Sequence, residues 1–73
     1  MKALLIKSCS NSVMWYHNHI GKVVPLLKVY EKTNEYLSRE PEGYSNIVLM
    51  NDAEVVDVSS SSILYLKDHE KIQ

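Results

Sequence analysis

With one cysteine, Cys9, the chain can form no internal disulfide and, unaided, no zinc site, so a reducing compartment is the expected setting. Its only two glycines, Gly21 and Gly43, leave no Gly-rich phosphate cradle, and no Ser-His-Asp arrangement or set of paired metal ligands is present. Neither an enzyme nor a cofactor is expected. Long apolar runs are missing too: nothing approaches the ~18 residues of a membrane span. The run Ala3–Ile6 is broken by Lys7, short of the roughly seven residues of a signal-peptide core. A soluble, cytoplasmic protein is expected, in the host cell if the chain is viral. An excess of one charge is also absent. Eight basic and nine acidic side chains give a formal charge of -1, with no broad attraction for nucleic acid or an anionic membrane.

What is present is enough apolar material to fold. The hydrophobic fraction is 45%, and 73 residues make one domain at most. A chain of this size buries only about 60% of its unfolded surface, so its stability is expected to be marginal or supplemented by a partner or second copy. Ala3–Ser8 reads as a buried first strand, with Cys9 at its end as a small packed residue, before the breakers Ser10, Asn11 and Ser12. Pro25 has no N–H for a ladder and marks an edge, a bulge or a strand break, and Lys22–Tyr30 reads as one long strand bent there. Glu31–Asn34 is a hairpin loop and Glu35–Glu40 the return, with Tyr36 and Ser38 on one face and Leu37 and Arg39 on the other. Glu40-Pro41-Glu42-Gly43 has the residues of a type I turn. Asn46–Met50 is a continuous apolar strand, either covered on both faces or lying near the barrel closure, Asn51–Glu54 a turn, and Val55–Val58 the last strand. The fold class is therefore all-β, five strands in a small barrel or half-open sandwich over residues 1–58. Residues 59–73 form a serine-rich linker and a C-terminal extension, either a short helix or an added strand. The apolar Ile63–Leu66 either closes the barrel or docks elsewhere.

Interaction-prone side chains are densest from Val13 to Gly21. On extended chain Trp15 and Tyr16 point to opposite faces, which places Trp15 inward and Tyr16 partly exposed. His17 and His19 then share a face. Two imidazoles do not complete a metal site, so they are expected as solvated or hydrogen-bonded loop residues. Gly21 permits a turn or bulge.

In order, Trp15-Tyr16, Ile20-Gly21-Lys22-Val23-Val24, Glu35-Tyr36 to Arg39, Gly43-Tyr44-Ser45-Asn46-Ile47-Val48 and Asp52-Ala53-Glu54-Val55-Val56 resemble the small Src-homology-3-like barrel proteins of tailed bacteriophages. The resemblance implies a five-stranded Src-homology-3-like barrel with a short 3₁₀ turn before the last strand, at Asn51–Glu54. It carries no catalytic signature. The acidic loop and aromatic array of proline-rich peptide binders are also missing. The expected function is that of a non-catalytic accessory protein that binds and modulates a host or viral protein, as an inhibitor for example. The partner-binding candidates are Tyr16, His17, His19, Lys22, Arg39, Tyr44 and Tyr65. The alternative is a nucleic-acid-binding barrel, with Tyr16 and Tyr44 stacking bases and Lys22, Lys28 and Arg39 meeting phosphates. No membrane partner is expected, and self-association would run through the tail or an edge strand.

Overall fold

The computed structural model describes residues 1–59. Along the chain run β1 (Lys2–Ile6), β2 (Val23–Pro25), β3 (Lys28–Tyr30), β4 (Glu35–Arg39), β5 (Ser45–Leu49), a 3₁₀ helix (Met50–Asp52) and β6 (Ala53–Asp57). The strands form two antiparallel three-stranded sheets, ordered β2-β1-β6 and β3-β4-β5. The fold is all-β as expected, but in place of a five-stranded barrel it has six strands in two sheets that do not close into a barrel. The difference arises at Pro25. The ladder from β1 ends where Pro25 stands opposite Ala3, and the Leu27 N–H instead donates to the Leu37 carbonyl at 2.8 Å. What reads in sequence as one bent strand is therefore two short strands in different sheets. The expected extension and tail, Tyr65 included, lie outside the described residues. Among the described residues no helix is long and apolar enough to cross a membrane.

The core gathers Leu4 and Ile6 of β1, Val24 of β2, Val48 of β5 and Tyr16 of the loop between β1 and β2. In β1, Ala3 on the opposite face is fully buried too, between Pro25 and Val56 in register. Burial on both faces is why this segment reads as an unbroken apolar run rather than an alternating one. Alternation does hold in β4, where Ser38 is buried and Tyr36 packs on the core. β5 is an edge strand in which Val48 is the one fully buried residue, rather than a strand covered on both faces.

Several turns match their residues. The Gly43 N–H donates to the Glu40 carbonyl at 2.9 Å, closing the expected turn. Gly43 and Gly21 have φ of +100° and +88°, where a Cβ is disfavoured, and Asn34 ends the 31–34 turn at φ 59°. The Asn51–Glu54 turn is a 3₁₀ helix one residue earlier, and the final strand starts at Ala53 rather than Val55.

Candidate functional site

The segment from Lys7 to Lys22 connects β1 to β2 as a chain of turns, not as extended backbone. Its serines, asparagines and glycine favour turns over ladders. The Asn11 side-chain oxygen accepts from the Val13 N–H at 3.1 Å, and the Asn11 carbonyl accepts from the Met14 N–H at 2.9 Å. Further turns follow from His17 N–H to Met14 (3.2 Å), His19 N–H to Tyr16 (2.8 Å) and Lys22 N–H to His19 (3.0 Å). The Gly21 N–H to the Ile6 carbonyl (2.7 Å) and the Ile6 N–H to the Lys22 carbonyl (2.9 Å) close the base.

One buried carboxylate ties this loop down. Asp52, at the end of the 3₁₀ helix, is fully buried. Its Oδ1 accepts from the hydroxyls of Ser10 at 2.6 Å and Ser8 at 3.0 Å, and its Oδ2 accepts from the Tyr16 hydroxyl at 2.6 Å. The Ser10 N–H lies 3.1 Å from both oxygens, and the Asp52 carbonyl accepts from the N–H groups of Lys7 (2.8 Å) and Ser8 (3.2 Å). Burial pushes the Asp52 carboxyl up, but donation from Ser10, Tyr16 and Ser8 outweighs it and holds the group below its ordinary value. The Tyr16 phenol is pushed well up by burial and by its bond to Asp52.

The aromatic pair inverts the expected arrangement. Tyr16 is fully buried, whereas Trp15 is half-buried and packs edge-on against it, with ring centroids 5.6 Å apart. The Trp15 Nε1–H donates to the Ile47 carbonyl at 2.8 Å, and the Tyr16 hydroxyl accepts from the Leu49 N–H at 3.3 Å. The Ile47 N–H is taken by the Asn46 side chain at 2.7 Å. Outward-facing backbone groups of edge strand β5 are thereby satisfied by side chains, which blunts that edge against strand addition.

The sequence-derived candidates do not converge. Tyr16 is inside the core and cannot contact a partner. His17 is exposed and His19 half-buried, its ring 6.0 Å from that of Trp15. Because the segment turns rather than extends, the strand geometry that would have put the two imidazoles on one face is absent. Among the described residues no group of three or more His, Cys, Asp or Glu could hold a metal. Lys22 is exposed beside the base of the loop. Arg39 donates to the Gly43 carbonyl at 2.9 Å, and Tyr44, 71% exposed, follows in the same turn. That turn lies at the Ser45 end of β5, whereas Tyr16 binds at Leu49 at the other end. Cys9 lies beyond the end of β1, half-buried, with its thiol toward the Asn11 carbonyl at 3.0 Å.

Three features of the loop lie outside the sequence-derived candidates. Val13 and Ile20 stand out of the clamped loop at 82% and 53% exposure. No residue from Met1 to Tyr30 is acidic, so the loop bears only Lys7, His17, His19 and Lys22 as charged or titratable basic groups. Lys7 is engaged by Glu54 at 3.4 Å. The acid-free stretch was visible in the sequence. The role of Asp52 was not, since an Asp within Asn-Asp-Ala is an ordinary turn former.

No protein-family model matches the chain, and no curated protein or solved structure does so either.

Proposed function

We propose that this chain is a non-catalytic accessory protein of the bacteriophage type that binds and modulates a host or viral protein in the host cytoplasm, with loop 7–22 as its contact surface. The observation that carries the reading is the loop itself, internally hydrogen-bonded and fastened to the sheets, yet holding Val13 and Ile20 in water. A surface already fixed in one conformation loses little entropy on binding, and apolar side chains held outward are typical of interface anchors. The nucleic-acid alternative is weaker, because Lys28 sits over Tyr30 at 5.6 Å and Arg39 is held at its own turn.

The test is capture from a nuclease-treated bacterial lysate with the wild-type protein, Lys22→Ala and Val13→Asp/Ile20→Asp. One stoichiometric protein held by the first two and lost with the third is the expected result, near-UV circular dichroism confirming that all three fold alike. Retention that appears only with intact nucleic acid and weakens steeply with salt would replace this reading by the alternative.

A further inference from the structure

We infer that Asp52 is the positioning residue of the contact loop: its carboxylate latches residues 8–16 to the 3₁₀ helix, so that breaking the latch releases the loop while both sheets stay formed. The functional meaning of this latch rests on the proposed contact role of the loop, but the latch itself is a property of the free protein.

The β1–β2, β1–β6, β3–β4 and β4–β5 ladders involve none of the residues between Lys7 and Lys22. The loop is held instead by the Ile6–Gly21–Lys22 base, the bonds from Trp15 and Tyr16 to β5, the exposed Lys7–Glu54 pair and the Asp52 cluster. The cluster has the most bonds, and its donors are spread from Ser8 through Ser10 to Tyr16. A single acceptor therefore fixes both the start and the middle of the loop. Of the loop residues only Tyr16 is fully buried; Cys9, Met14 and Trp15 pack partly on the core. A segment joined to the rest by few contacts and exposed backbone turns is the kind that opens locally, below the free energy of global unfolding. Carboxylate oxygens only accept, so an amide of the same shape at position 52 offers one acceptor oxygen and turns its nitrogen toward hydrogen-bond donors.

Hydrogen exchange on the free protein, read residue by residue by NMR, tests this in Asp52→Asn and Tyr16→Phe. In Asp52→Asn the amides of Met14, His17, His19 and Lys22 should exchange about tenfold faster or more, with those of β1 and β4 unchanged, as expected for a local opening. Tyr16→Phe, which keeps the ring but removes the donor to Asp52 and the acceptor of the Leu49 N–H, should give the same loop pattern with smaller factors. Unchanged loop amides would overturn the inference, and so would equal acceleration in the loop and both sheets. Should Asp52→Asn fail to fold, the Tyr16→Phe pattern decides between the same outcomes. Loss of lysate capture in Val13→Asp/Ile20→Asp with loop exchange unaltered would separate the contact role from the latch.

Discussion

At Ser38 a hydroxyl is buried on β4 without a hydrogen-bond partner among the described residues. An unsatisfied buried hydroxyl is destabilising, and alanine removes it at nearly the same volume. Ser38→Ala is expected to raise stability by about 1 kcal/mol, read as a higher urea midpoint at unchanged slope; a lower midpoint would mean that the hydroxyl has a partner. The Tyr16 hydroxyl is the opposite case, since it gives to a carboxylate and receives from a backbone N–H. Tyr16→Phe should cost roughly 1.5–3 kcal/mol by the same measurement. The sequence put Trp15 inside because it assumed an extended chain, on which neighbours alternate. Once the segment turns, hydrogen-bonding capacity decides instead. A phenol can both donate and accept in a buried position, whereas an indole N–H only donates and is satisfied at the β5 edge.

Turns and breaks were the most legible elements, because their residues act locally. Gly43 and Pro41 set their turn without reference to the rest of the fold, and Asn34 adopts its left-handed conformation on its own side chain's tolerance. Less legible was the division at Pro25, where the proline announced a break but only the tertiary pairing decided that β3 leaves the first sheet. The candidate site was legible as a region and not as residues. Its density of aromatics and histidines drew notice, while Asp52 acts across 36 residues of sequence on Tyr16. Gly43→Ala tests the local argument. A Cβ there meets nothing within 4 Å, so the cost is backbone strain alone, about 1–2 kcal/mol. Asn34→Gly, at a position already left-handed, should change the urea midpoint far less; equal losses would mean that side-chain contacts rather than backbone conformation set these turns.

For the molecule as a whole, the buried carboxylate and phenol set limits on pH. Asp52 has its folded value lowered, so its contribution is complete above the unfolded value of about 4 and is lost as pH falls from there through the folded value. Tyr16 has its folded value raised, so its contribution is complete below about 10 and declines as pH rises beyond that. Stability should therefore be level between these limits and fall on both sides. Asp57 adds to the acid side, since its bond to the Met1 ammonium and the nearby Lys2 also lower it. The two differ in weight, because Asp57 is exposed and an exposed ion pair adds little, while Asp52 is buried and its donors are uncharged. Urea midpoints measured from pH 2 to 7 should keep an acid slope in the wild type and lose most of it in Asp52→Asn. If both proteins lose stability equally over that range, acid sensitivity belongs to other carboxylates, and the buried cluster holds the loop without governing how the fold responds to pH.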